Sequence, residues 1–115
     1  MAIKANDIEI LHRYAQGVME RSEHHAQNVG VVALTLLGGV IWKAVPGSIE
    51  IRTYNGNLAN MVWWKSESSQ KNYAISYNHE TLEIEMRDES VKGDVLFSLS
   101  NSTAPESVLK MLADL

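Results

Sequence analysis

Cysteine is absent from this chain, which excludes a disulfide framework, a thiolate metal site and a thiol nucleophile. The fold has to be held by its core alone, an arrangement suited to a reducing compartment. Positive charge is scarce and scattered: ten Lys and Arg stand against 14 Asp and Glu, for a formal net charge of -4. Without a basic cluster there is no electrostatic footprint for a phosphate backbone, so no nucleic-acid partner is expected. Long apolar runs are missing too. The most apolar stretch, Val29 to Trp42, is shorter than the ~20 residues that cross a bilayer core, so it reads as protein interior and no membrane association is expected. Met1 to Glu9 alternates charged and apolar side chains where an export signal would be continuously apolar. A cytoplasmic location is the expectation. No glycine-rich phosphate loop, GxSxG elbow or HExxH motif occurs, so neither a cofactor nor a metal is expected.

What is present is enough apolar chain for one core. The 115 residues, 45% of them hydrophobic, correspond to one domain spanning 1–115, with no linker or repeat. Asp7 can cap a helix starting at Ile8. Alternate steps of three and four from there meet Leu11, Ala15, Val18, Ser22, His25, Val29, Val32, Leu36 and Gly39, one stripe on a long helix reaching the early forties. Val31, Leu34, Leu37 and Ile41 make its second half apolar on nearly every face, as in a helix surrounded by protein. A competing reading turns Val29 to Val32 into a strand and Gly38-Gly39 into a hairpin turn. Asn28 and Gly30, weak helix formers, mark a place for a kink.

Pro46-Gly47 ends this segment, and the period changes to alternation. Strands are expected at Ile49–Tyr54, Asn60–Ser66, Asn72–Tyr77, Leu82–Arg87 and Val95–Leu99, with turns at Asn55-Gly56-Asn57 and Asn78 to Thr81 and a polar loop at Ser66 to Gln70. Pairing Tyr77 with Leu82, Ile75 with Ile84 and Tyr73 with Met86 puts the large apolar side chains on one face and Ala74, Ser76, Glu83 and Glu85 on the other. A last helix is expected from a capping box of Thr103 and Glu106, Pro105 in the first turn and an apolar face of Val108, Leu109, Leu112 and Leu115. The architecture is α+β: a long N-terminal helix packed on an antiparallel sheet of roughly four to five strands, then a short C-terminal helix.

Candidate chemistry gathers where polar residues interrupt the helix stripe. Arg21, His24, His25 and Asn28 form a candidate polar pocket, completed by Asn78 and His79 if the hairpin tip folds towards the helix. Imidazole suits proton transfer near neutral pH, although a buried histidine can equally be a packing device. Adjacent His24 and His25 point about 100° apart on a helix and grip one ion poorly, which argues against metal. Trp63 and Trp64 project to opposite faces of a strand, so one needs cover from outside the core. They join Val31 and Leu34 as a candidate interface.

The segments Glu23-His24-His25-Ala26-Gln27-Asn28-Val29, Ser76-Tyr77-Asn78-His79-Glu80 and Ile84-Glu85-Met86-Arg87 resemble a family of small, functionally uncharacterised proteins carried on bacterial integron gene cassettes. That resemblance implies a bacterial source, a compact α+β fold and self-association, and it brings no reaction whose residues could be carried across. The expected function is a homo-oligomeric module that binds a small molecule or a protein. The alternative is a small enzyme with His25 or His79 as acid/base, Arg21 binding an anion and Asn28 or Asn78 orienting substrate.

Overall fold

The computed structural model describes the backbone of residues 2–4, 8–24, 29–54 and 57–115, and their side chains apart from 3, 4, 8, 21–24, 54 and 57–60. A short strand, β1 (Ala2–Lys4), precedes helices α1 (Ile8–His24) and α2 (Gly30–Lys43). Strands β2 (Glu50–Tyr54), β3 (Asn57–Lys65), β4 (Asn72–Asn78), β5 (Glu83–Asp88) and β6 (Val95–Leu99) follow, and α3 (Pro105–Ala113) comes last. The strands form an antiparallel sheet in the order β1-β2-β3-β4-β5-β6. The α+β architecture is as expected. The added edge strand β1 lies in the segment whose alternation had been weighed only against an export signal; it pairs Ala2 with Arg52 and Lys4 with Glu50.

The expected single helix is two helices. Val29 has φ -130° and ψ 0°, outside the helical basin, and α2 begins one residue later. Periodicity carried the stripe across this break because Val29 and Val32 do face the core; nothing in a count of threes and fours reports a change of axis. The hairpin alternative at Gly38-Gly39 does not form, since both glycines lie inside α2. Gly39 has a packing reason: a Cβ there would overlap the Leu112 side chain, so α3 rests directly on the α2 backbone. The first turn of α2 has no cap from its own N-cap side chain. Asn101, from the loop after β6, accepts the Val32 amide proton at 3.1 Å and so satisfies one orphan donor from a distance.

Across the sheet, Ile51, Val62, Ile75, Met86 and Phe97 are successive cross-strand partners, a row of inward side chains that the period-2 pleat places on one face. They join Val32, Leu36 and Val40 of α2 and Val108, Met111 and Leu112 of α3 in one core cluster. Burying a side chain of this size is worth about 1.5–3 kcal/mol relative to exposure.

Four local expectations are corrected. The β4–β5 register pairs Tyr77 with Ile84, Ile75 with Met86 and Tyr73 with Asp88, two residues from the expected pairing. Leu82 lies in the turn with φ 60°, while the Asn78 side chain accepts the amide protons of Glu80 and Thr81 at 2.9 and 3.2 Å. That Asx turn lengthens the loop, and a two-residue shift leaves every face unchanged. At α3 the N-cap is Ala104, with no side-chain cap, because the Thr103 hydroxyl instead accepts the Ser100 amide proton. Leu109 is exposed, and Met111 takes the inward place assigned to it. The turn at Asn55-Gly56-Asn57 falls partly outside the described residues. Ser66, expected in a polar loop, is fully buried, and its hydroxyl donates to the Leu115 carbonyl at 2.8 Å.

Candidate functional site

Between α1, α2 and the inner face of the sheet lies a cavity of about 250 Å³. Its helical walls are Leu11, Val18 and Met19 of α1 and Leu36, Leu37 and Val40 of α2; Ile51, Val62, Ile75 and Ile84 form the floor. The space has a local cause. Ala15 and Ala33 also line it, one from each helix, where longer side chains would take up part of the volume. Natural cores leave few voids larger than a water molecule, so a cavity of this size between well-packed elements is a feature to be explained.

Among the described residues the polar ones on the wall are Tyr14, Ser76, Tyr77 and His79, and none that line it is charged. Tyr77 is the last inward residue of β4. Its hydroxyl is buried and has no hydrogen-bond partner among the described residues. The His79 ring stands edge-on to the Tyr77 ring, with centroids 4.8 Å apart and planes at 89°, and His79 itself is exposed. The hairpin tip thus borders the same cavity as residues 11–19 of α1 and Val29.

The candidate pocket residues separate. His79 reaches the cavity. Asn78 does not join it, because alternation turns its side chain to the other face of the sheet, where its Nδ2 donates to Glu85 Oε2 at 3.2 Å. His25 and Asn28, and the side chains of Arg21 and His24, lie outside the described residues. Of the candidate interface residues, Val31 and Leu34 are 65% and 53% exposed on α2, whereas Trp64 is 1% exposed and belongs to the core. Of the two tryptophans, Trp63, half-buried on the outer face opposite Ala74, is the one available to a partner. The residue that sequence reasoning passed over is Tyr77, grouped there with the apolar inward set. Its signal was a hydroxyl placed on an otherwise apolar face, next to the turn.

A family model described as "Integron cassette protein VCH_CASS1 chain" matches residues 11–112. The chain belongs to this family. The matched range takes in every described residue that lines the cavity. A comparison with curated proteins finds no match. The description of the family names a genetic setting and no reaction, so the chemistry of this integron cassette protein has to be argued from its own site.

On the outer face of its sheet the cassette protein carries a second polar group. Arg87 Nη2 donates to Glu85 Oε1 at 2.8 Å, and Arg87 Nη1 donates to the Gly93 carbonyl at 3.0 Å. The hydrogen bond from Arg87, and then that from Asn78, hold the Glu85 carboxyl below its ordinary value of 4.5 against the opposing effect of burial. A depressed folded-state pKa means that the unfolded chain binds more protons in the window below 4.5. The stabilisation is therefore complete above that value and is lost as pH falls through the folded pKa. Glu85→Gln is expected to be less stable than wild type at neutral pH by ~1 kcal/mol or less, with the deficit vanishing in acid. Urea midpoints at about pH 7 and about pH 2.5 decide it, and an equal deficit at both rules out the charge as the cause.

Proposed function

We propose that this integron cassette protein binds a small apolar molecule in the cavity between α1, α2 and the sheet. The observation that carries the reading is the 250 Å³ space, whose described walls are mainly apolar, and a buried Tyr77 hydroxyl with no hydrogen-bond partner among the described residues. Ligand pockets combine an apolar lining with a few placed polar groups, and this one follows that pattern at the small end of the size range. The test uses butylbenzene, a hydrocarbon of suitable bulk, titrated into labelled protein and followed by amide chemical shifts. Shifts should cluster at Val18, Leu37 and Ile84. Ala33→Leu, which adds three carbons to the cavity wall, is expected to weaken binding at least tenfold while leaving thermal stability unchanged or raised by about 1 kcal/mol. Unchanged affinity in this variant would place the ligand elsewhere.

We further propose that the protein self-associates through the outer face of α2. Val31, Leu34, Ile41 and Trp42 are exposed there, and the space around Gly38, which lies among them in sequence, is open. Lys43 is the only charged residue of α2, and its ammonium is engaged by the Ser68 hydroxyl at 2.8 Å. A helix with no charge on its outer face is suited to contact with protein, and a second copy offers the matching apolar surface. Ile41→Lys is expected to convert an oligomer to a folded monomer in sedimentation velocity; a wild-type protein that sediments as a monomer at micromolar concentration refutes the proposal.

A further inference from the structure

We propose that the molecule taken by the cavity is uncharged, has about ten non-hydrogen atoms, and carries one oxygen acceptor, of the carbonyl or ether class, that receives the Tyr77 hydroxyl proton. This rests on the binding reading above and names the ligand chemistry of that same site.

Size comes from volume. An apolar cavity of ~150 Å³ takes benzene, with its six carbons, and simple proportion brings 250 Å³ to about ten heavy atoms. Charge comes from the lining, which among the described residues holds no Lys, Arg, Asp or Glu. A carboxylate or an ammonium would lose its hydration there and gain no counter-charge, and burial of an unpaired charge is strongly unfavourable. The acceptor comes from Tyr77. Its oxygen is buried with no partner among the described residues, while the ring lines the cavity. A buried hydroxyl left unpaired is costly, and a phenol is above all a donor, so a ligand oxygen placed against it removes the penalty. The neighbouring His79 ring stands edge-on to the Tyr77 ring at 4.8 Å between centroids, and the phenol O–H can rotate to meet an acceptor. A pure hydrocarbon fills the same space and leaves that hydroxyl unmatched.

Three probes of similar bulk separate these features: propiophenone with a carbonyl, butylbenzene without one, and 3-phenylpropanoate with a charge. Each is titrated into wild-type protein and Tyr77→Phe, with dissociation constants taken from amide shifts. The expected result is that Tyr77→Phe weakens propiophenone by about three- to tenfold and leaves butylbenzene within twofold. In the wild type, 3-phenylpropanoate binds at least tenfold more weakly than propiophenone. Folding of the variant is read from its own spectrum. As a measurement that needs no variant, the carbonyl carbon of labelled propiophenone should move downfield of its position in alkane when bound. An unmoved carbonyl, a ketone affinity indifferent to Tyr77→Phe, tighter binding of the carboxylate, or binding of butylbenzene without the ketone each overturns the acceptor proposal while the cavity reading stands. If neither neutral probe binds the wild type, the cavity reading itself fails.

Discussion

Trp64→Ala is expected to destabilise the protein by about 3–5 kcal/mol, a large part of the 5–15 kcal/mol that a domain of ordinary stability possesses. Trp64 is 1% exposed and lies against Tyr73, with ring centroids 5.2 Å apart and planes at 36°. Its indole nitrogen is buried and has no hydrogen-bond partner among the described residues, so its contribution comes from buried area and contact. Removing the ring leaves a cavity in the core that a β-sheet cannot close by local movement. Trp63→Ala is the internal control. That side chain is half-buried on the outer face, and its loss should cost about 1 kcal/mol. Urea unfolding of both variants checks the pair, and equal losses would contradict the facing derived for the two indoles.

Gly93→Ala is expected to lower stability by about 2–3 kcal/mol, a large effect for a single methyl group in a loop. A Cβ at this position would overlap the carbonyl oxygen of Asp88, a backbone atom with no rotamer to change. The loop cannot open freely either. Gly93 donates its amide proton to Ser90 at 2.9 Å, Asp88 does the same to the Asp94 carbonyl at 2.9 Å, and Arg87 holds the Gly93 carbonyl. Hydrogen exchange should show the loss concentrated at β5 and β6. An alanine variant with wild-type stability and protection would show that the loop has a second conformation of equal energy. Gly38→Ala offers a contrast: the space around it is open, and alanine is the better helix former by about 1 kcal/mol.

Much of the fold was legible because the signals are local. Alternation located β2 to β6 and gave the inward sides of Tyr73, Ile75, Tyr77, Ile84 and Met86 correctly, even though the β4–β5 pairing is displaced by two residues. That displacement could not be read from hydrophobicity, since any even shift preserves it; the decision belonged to the Asn78 side chain and to the left-handed conformation of Leu82. Leu109 shows the converse. Its spacing fitted an inward stripe, yet α3 rolls so that Met111 is buried and Leu109 is exposed, a choice set by the seat of Leu112 on Gly39.

The candidate site was legible in one part only. His79 was singled out, and it is among the residues that line the cavity; Asn78, its neighbour, turns away because adjacent strand residues must. Tyr77 was correctly placed inward, but nothing in its own segment distinguishes a hydroxyl met by a partner from one left bare. The cavity has Ala15 of one helix and Ala33 of the other in its wall, and a small residue leaves a void only when its neighbours across the space do not fill it.

By itself, then, the sequence determined the strands from β2 onward, the helical segments, the buried side of the sheet and the scarcity of charged or thiol chemistry, because these follow from the repeat of a helix or strand and from side-chain type. Only the tertiary structure decided that the kink expected near Asn28 and Gly30 separates two helices, which inward residues touch, and that an apolar space remains beside Tyr77. Those are properties of volumes brought together from distant parts of the chain, and no local period records them.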